Sequence, residues 1–507
     1  MKILLIALNT DISYIPLALL YLKASLLNDR YLKEKVEVEI KEFGLFDISH
    51  HTFDDDDDDV VLYEIHKYNP QIIGFSCYVW NIKKILTLST KIKKINRNTK
   101  IILGGPQVSP VAKILLEENS QIDIIVKGEG EITFLELIKS LLNSNRNINR
   151  ISGTTIRHRG MIIDNDDREM IPDLDSIPSP HISNLIHLEK RIACLETQRG
   201  CIFKCHFCYY NKDFDKIRFF SMDRVKKDLS FLLRQKPTSI QFMDPIFNLN
   251  VNKAKEICRF IIQNNKNNIS FRMETKAEFV DEELAELFHK ANVECLTIGL
   301  QSSNDKVLRS VGRKLSVKKF IGGVNLLKKW DLGIEVQLIL GLPGDTFYSF
   351  KKSLEFALNL EPKILDVFRL QVLPGTEIWR KVRELGIVYD PEPPHYFLHT
   401  KTLLFDEMIK LQKIINSLDL FKIKAKITIE YLCKETKIKL LDMVELWVDW
   451  FGDDLMRLKW QDNDAVKDKF RKFIKYFCMA HNIDFYFYDH LLQKEVAFSI
   501  RSEKEQV

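Results

Sequence analysis

Unbroken runs of Ile, Leu and Val recur through the first 143 residues, at 3–8 (ILLIAL), 36–40, 71–76 (QIIGFS), 100–103 (KIIL) and 122–126 (IDIIV). Continuous apolar runs of this length fit strands buried on both faces, as in a parallel sheet. The stretches between them, such as 81–97 and 131–142, carry apolar positions at helical spacing. The pattern predicts a doubly wound α/β domain over 1–145, with its ligand side beyond the carboxyl ends of the strands. Asn9, Thr10, Ser76, Gly104-Gly105-Pro106 and Gly128-Glu129-Gly130 fall at that edge. Small residues there leave room for a bulky ligand to approach the backbone, or else simply make tight turns.

Residues 151–163 read as a short hairpin turning near Arg159-Gly160, and a connector with Pro172, Pro178 and Pro180 follows, so 146–190 is read as hairpin and linker. A second alternation then begins. Its strand candidates are 192–197, 239–244, 269–274, 295–300, 334–340 and 365–372, separated by helical stretches. Six βα units in succession over 191–380 favour a partial or complete parallel barrel, with chemistry at the strand carboxyl ends. From 381 to 507 the pattern is mostly helical, with short apolar pieces that could be strands, and no chemical motif is found. The six consecutive Asp at 54–59 read as a solvated loop whose last members enter a helix first turn, where negative charge is favourable.

Composition narrows the function classes. The chain has 507 residues with 75 Lys+Arg against 70 Asp+Glu, a net charge of +5. Charge so evenly mixed argues against a nucleic-acid partner. No segment has the eighteen or so uncharged apolar residues that a membrane span needs. The apolar start is interrupted by Asn9, Thr10 and Asp11 and reads as a strand followed by a helix, not a signal peptide. Nine Cys without an export signal point to a cytoplasmic protein with reduced thiols.

Three of those Cys crowd into Thr197-Gln198-Arg199-Gly200-Cys201-Ile202-Phe203-Lys204-Cys205-His206-Phe207-Cys208-Tyr209, spaced C-x3-C-x2-C just after the first strand of the second alternation. Thiolates on such a loop suit a soft metal centre. Structural zinc usually takes four Cys or His ligands, and no second pair stands at zinc-ribbon spacing. Three thiolates also suit an iron–sulfur cubane with one iron open to substrate or cofactor. The other six Cys lie mostly in apolar surroundings and read as small core residues.

The loop resembles the cluster motif of the radical S-adenosylmethionine (SAM) superfamily, C-x3-C-x-aromatic-C, with Phe207 as the aromatic. The resemblance continues through QFMDPIFNLN (241–250), Glu274, IGLQS (298–302), Arg313, LGLPGDT (340–346) and LPGTE (373–377). It implies that Cys201, Cys205 and Cys208 hold a 4Fe–4S cluster and that SAM chelates the fourth iron. Glu274, Gln301, Ser302 and Arg313 are then implied for the ribose and methionine moieties, and Gly341–Gly344 and Leu373 for the adenine. Chemically, Arg suits a carboxylate and Glu suits ribose hydroxyls.

The first 145 residues resemble the Rossmann-like cobalamin-binding domain found beside this barrel in cobalamin-dependent members. The match runs through IIGFSCYVWN (72–81), IILGGPQVSP (101–110) and IVKGEGEITFLELI (125–138). It implies that Ser76, Gly104, Gly105 and Glu129 line the cobalamin pocket. One departure stands out. Domains that give cobalt a lower His carry D-x-H-x-x-G after the first strand, whereas this chain has Asp11-Ile12-Ser13-Tyr14-Ile15-Pro16. Cobalamin bound here would lack a lower His ligand. The resemblance implies reductive cleavage of SAM to modify an unactivated carbon of an organic or peptide substrate, with methyl transfer favoured and an electron donor such as flavodoxin or ferredoxin. The alternatives are a radical SAM enzyme without cobalamin, catalysing rearrangement or cyclisation, and a non-catalytic Cys-cluster protein that binds metal or senses redox state. A methylthiotransferase fits less well, because the first 150 residues hold only Cys77.

Overall fold

The computed structural model describes residues 1–45, 56–143, 146–185, 187–210, 216–452, 455 and 463–504. Asp54 and Asp55 of the acidic run lie outside these residues.

The first alternation folds as β1 (Lys2–Asn9), α1 (Leu17–Asn28), β2 (Glu37–Gly44), α2 (Asp56–Tyr68), β3 (Ile72–Ser76), α3 (Ile82–Ile95), β4 (Lys100–Gly104), α4 (Ala112–Glu118), β5 (Ile124–Val126) and α5 (Gly130–Leu142). Strands β2-β1-β3-β4-β5 pair in parallel in that order. The order reverses between β1 and β3, and such a reversal opens the crevice where doubly wound sheets bind ligands. The apolar runs are continuous because both faces are covered. Leu4, Ile6, Ile73 and Leu103 pack on one side, and Ile3, Leu5, Ile72 and Ile102 on the other. The hairpin β6 (Thr154–His158) and β7 (Met161–Asp164), read from the sequence as part of a connector, instead extends this sheet antiparallel to β5. Its alternation is legible locally, but its pairing partner is set by Ile156 packing among the sheet's core residues.

The second alternation runs β8 (Ile192–Leu195), a short antiparallel pair β9 (Gln198–Arg199) and β10 (Arg218–Phe219), α6 (Met222–Gln235), β11 (Ser239–Phe242), α7 (Val251–Asn264), β12 (Ser270–Thr275), α8 (Glu282–Lys290) and β13 (Val293–Gln301). It continues through α9 (Asp305–Ser310), α10 (Val317–Lys329), β14 (Gly333–Leu340), α11 (Phe347–Asn359) and β15 (Ile364–Arg369). A six-stranded sheet results, ordered β8-β11-β12-β13-β14-β15, with parallel pairing from β8 to β14. This is the partial barrel expected from six βα units.

The chain divides into two compact units, Met1–Ile339 with Leu360–Phe397, and Leu340–Asn359 with Leu398–Val507. Both α/β sheets belong to the first. The second groups α11 with the C-terminal helices. After α12 (Glu377–Arg380) and α13 (Val382–Leu385) of the first unit, these are α14 (Phe405–Lys424), α15 (Lys426–Thr436), α16 (Leu440–Phe451), α17 (Asn463–His481) and α18 (Phe485–Lys504). Two short strands, Val388–Tyr389 and Phe397–His399, pair ahead of these helices, and from 405 onward the regular elements among the described residues are helices. Trp447 centres their core, its ring 4.7 Å from Phe470 and 5.2 Å from Phe473. No helix among the described residues is long and apolar enough to cross a membrane.

Candidate iron–sulfur and cofactor site

The Cys loop leaves the carboxyl end of β8, and its approach is fixed by a buried carboxylate. Asp244, just beyond β11, accepts hydrogen bonds from the Thr197 amide (2.7 Å), the Thr197 hydroxyl (2.6 Å) and the Gln198 amide (3.1 Å). Burial pushes its carboxyl up to about 6, against the opposing pull of these bonds. Lys253 donates to the carbonyls of Thr197 (2.9 Å) and Phe220 (3.0 Å), closing the strand end from the other side. A buried acceptor holding several backbone donors is costly to remove.

The loop is then pinned along its length. The His206 amide donates to Val311 O (2.9 Å), its carbonyl accepts from the Ile378 amide (3.1 Å), and the Cys208 amide donates to Cys205 O (3.1 Å). Phe203 lies under the Lys276 ammonium, 4.7 Å from the ring centre. Gly312 has φ +69, and a Cβ there would sit 2.6 Å from Lys204 O and 2.8 Å from the His206 ring. Only glycine lets the segment before Arg313 press this closely on the loop.

Cys205 is buried, while Cys201 and Cys208 are partly open. Burial raises the Cys201 thiol against the pull of the Arg313 and Lys276 charges. Burial, reinforced by Cys205, Cys201 and Glu274, pushes the Cys208 thiol up to about 12. Cys201 and Cys205 thus act on Cys208, and Arg313 and Lys276 bring positive charge to Cys201. Among the described residues no three His, Cys, Asp or Glu converge on a single ion. A cubane asks for something else, since each thiolate takes a different iron and the sulfurs stand around the cluster. Metal coordination deprotonates a thiol outright, so raised thiols are compatible with ligation. The donor set fits a three-thiolate cluster.

Beside the loop, Arg313 Nη1 lies 3.9 Å from Cys205 Sγ, and its Nη2 donates to Gly299 O. Gln301 has φ +67 and folds back over Gly299, where a Cβ would meet its Nε2 at 2.5 Å. Gln301 Oε1 and Arg313 Nε are buried without a hydrogen-bond partner among the described residues. Such orphaned groups are rare in a finished core and mark a place that a polar ligand completes. Ser302 is fully buried, and its hydroxyl accepts from the Asn304 amide (3.1 Å), so it shapes this turn. Glu274, at the end of β12, lines a cavity of about 400 Å³ with Tyr14, Tyr210, Gln241, Thr297 and Glu335. Glu274 is exposed into this cavity, where partial desolvation and the nearby Glu335 push its carboxyl up to about 7. Leu373 lends its carbonyl to the Thr376 hydroxyl (2.7 Å) in a turn before α12. Gly341 and Gly344, both at positive φ, lie in the second unit.

At the crevice of the first sheet, Asn81 Nδ2 bridges Leu8 O (3.2 Å) and Ser76 O (2.9 Å), tying the ends of β1 and β3. Ser76 and Gly104 are paired neighbours there, and a Cβ on Gly104 would meet nothing closer than 3.6 Å. Gly105, with φ +115, serves its own chain. A Cβ there would lie 2.6 Å from Cys77 O, so its glycine is demanded by the turn. Glu129, implied for the same pocket, instead spends both carboxylate oxygens on Arg199, Arg218 and the Ile171 amide. The Asp11–Pro16 stretch is also used structurally. Ser13 O accepts from the Ile192 amide (2.7 Å) and the Ile15 amide donates to Ile192 O (3.3 Å), extending the barrel sheet beyond β8. Sequence reasoning missed Asp244 and the Glu129–Arg199 link. Asp244 stood inside the quoted QFMDPIFNLN segment, whereas nothing local marks a pair drawn from two different sheets.

Comparison with known proteins agrees with the two sheets. The B12 binding domain model matches residues 3–138, and the Radical SAM superfamily model matches residues 195–357. An uncharacterized methyltransferase of Pyrococcus horikoshii, PH0819, is 28% identical over 323 residues, covering 62% of this chain and 70% of that protein. The cobalamin-dependent radical SAM methyltransferase TokK of Streptomyces tokunonensis is 22% identical over 339 residues, covering 63% of this chain and 50% of that protein. The chain thus spans about half the length of TokK. In fold, it resembles the radical SAM methyltransferase TsrM from Kitasatospora setae, solved with cobalamin and a 4Fe–4S cluster (TM-score 0.62, 17% identity, 79% of each chain). It also resembles the cobalamin-dependent SAM radical enzyme OxsB, solved with aqua-cobalamin and SAM (TM-score 0.68, 16% identity, 100% of this chain and 80% of that one). Residues 195–357 thus carry a radical SAM domain, and residues 3–138, ahead of it, a B12-binding domain.

Proposed function

We propose that the protein is a cobalamin-dependent radical SAM methyltransferase acting on an unactivated carbon of an organic or peptide substrate. The observation that carries this reading is the conjunction, in one compact unit, of a pinned three-Cys loop at a barrel strand end and a doubly wound sheet that matches the B12 binding domain model. When bound, the cluster, SAM and cobalamin supply one-electron and methyl-transfer chemistry that side chains cannot perform.

The chain's own residues bind, orient and shield. Cys201, Cys205 and Cys208 would hold three irons, leaving the fourth open. Arg313, with its unpaired Nε, suits the carboxylate of a methionine moiety, and Gln301 Oε1 suits its ammonium. Glu274 would accept from ribose hydroxyls at the rim of the cavity. Leu373 is the candidate in this unit for the adenine. Ser76 and Gly104 would line the crevice of the first sheet, and no His is available at Ser13 to reach cobalt from below. The reading requires an electron donor of the flavodoxin or ferredoxin kind and a reducing compartment, the cytoplasm, where the thiols stay reduced.

Anaerobic reconstitution with iron, sulfide and hydroxocobalamin tests it. Retained cobalt near one per chain, with SAM- and reductant-dependent formation of 5′-deoxyadenosine and S-adenosylhomocysteine, is the expected result. Cleavage of SAM without retained cobalt would favour a radical SAM enzyme whose first domain serves another purpose. Tight zinc in place of iron would leave only a metal-binding protein.

A further inference from the structure

Glu129 stands in the turn between β5 and α5, at the edge where doubly wound sheets take their ligands. Its carboxylate is nevertheless saturated by protein. Oε1 accepts from Arg199 Nη1 (3.0 Å) and Arg218 Nη2 (3.0 Å), and Oε2 accepts from Arg218 Nη1 (2.8 Å) and the Ile171 amide (2.8 Å). Arg199 Nη2 also meets Glu131 Oε1 at 2.7 Å and Glu196 Oε2 at 3.1 Å, and its guanidinium lies 5.2 Å from the Tyr21 ring centre. Glu129, Glu131, Arg199 and Arg218 are each only 9% exposed. Charges this far from water are weakly screened, and removing one partner leaves the others uncompensated.

The location of Arg199 gives the network its meaning. Arg199 and Arg218 are register partners across β9 and β10, and Gly200 alone separates Arg199 from Cys201. Two carboxylates at the start of α5 therefore clamp the residue that launches the Cys loop. Three carboxylates face two guanidiniums in this network, so removing one of its charges changes the electrostatic potential at the adjoining Cys loop, where Arg313 and Lys276 add positive charge.

We propose that Glu129 and Glu131 act through Arg199 as positioning residues for the Cys201–Cys208 loop, and that the charge of this buried network sets how readily the cluster is reduced. The inference rests on the reading that the three Cys hold a 4Fe–4S cluster, whose potential depends on nearby charge and hydrogen bonding. Its sign follows from electrostatics. Removing a carboxylate charge stabilises the reduced cluster and raises its potential, whereas removing the Arg199 charge lowers it.

The test uses the full chain, reconstituted anaerobically with iron and sulfide, comparing wild type with Glu129→Gln, Glu129→Asp, Glu131→Gln and Arg199→Gln. Iron content, thermal melting and the midpoint potential followed by electron paramagnetic resonance are the readouts. The expected result is a potential above wild type in both Gln variants of Glu, below it in Arg199→Gln, and close to wild type in Glu129→Asp. Should Arg199→Gln fail to fold, the two Glu variants and the Asp rescue decide the matter. Unchanged potentials in iron-loaded Glu129→Gln and Glu131→Gln overturn the inference, as does a shift of one sign across all loaded variants. A wild type that takes up no cluster overturns the reading of the Cys loop itself, and this inference with it.

Discussion

The His181 ring is 3% exposed, and its Nε2 has no hydrogen-bond partner among the described residues. Burial holds it down to about 4, with Arg224 acting in the same direction and Asp228 in the opposite one. Because the folded value lies below the ordinary 6.5, the unfolded chain binds the extra proton between those limits. Stability is then fully present above about 6.5 and falls as the pH drops toward 4. The predicted loss is on the order of 3 kcal/mol, measured by denaturant titration across that window, and His181→Gln should flatten it. Asp58 shows the opposite balance. It is buried in α2, where burial raises its carboxyl, but Lys84 and Lys91, each 2.6 Å away, outweigh that and hold it low. One member of the acidic run is thus an anchor between α2 and α3, which composition alone conceals. The Cys triad was legible because its spacing lies within eight residues. The Glu129–Arg199 pair was not, because its partners are 70 residues apart and each looks ordinary in its own segment.

At the scale of elements, the strands were legible because burial on both faces writes uninterrupted apolar runs. The runs at 3–8 and 71–76 fall on β1 and β3. The pairing of the 151–163 hairpin was not legible, since alternation within a hairpin does not say which sheet edge it joins. The two-residue strands β9 and β10 leave no periodic trace, yet they frame the start of the Cys loop. That loop depends on a neighbouring turn as well as its own residues. Gly312→Ala would place a methyl group 2.6 Å from Lys204 O in a left-handed conformation. The expected outcome is a loss of about 2 kcal/mol in stability and a marked fall in iron bound after reconstitution, with far-ultraviolet circular dichroism unchanged. Wild-type iron content in Gly312→Ala would show that the loop does not need this contact.

For the molecule as a whole, the first unit joins two parallel sheets by main-chain bonds as well as side chains. Ser13 and Ile15, from the loop after β1, hydrogen-bond to Ile192 of β8 and cover an otherwise open strand edge. Arg191 reinforces the junction through Tyr14 O (3.0 Å) and Glu42 (2.7 Å). The Asp11–Pro16 stretch is part of this junction. The helices of the second unit carry no chemistry that their sequence announced, and their burial around Trp447 accounts for their apolar positions. What the whole account requires is a cluster held by three particular thiolates and open at one iron. Low-temperature electron paramagnetic resonance of the reduced, anaerobically reconstituted chain, with iron analysis, tests this most directly. Wild type should carry about four iron atoms per chain and a signal that changes when SAM is added, while Cys201→Ala, Cys205→Ala and Cys208→Ala should each lose the signal and Cys258→Ala should keep it. An intact signal in all three loop variants, or a wild-type signal indifferent to SAM, would contradict the account.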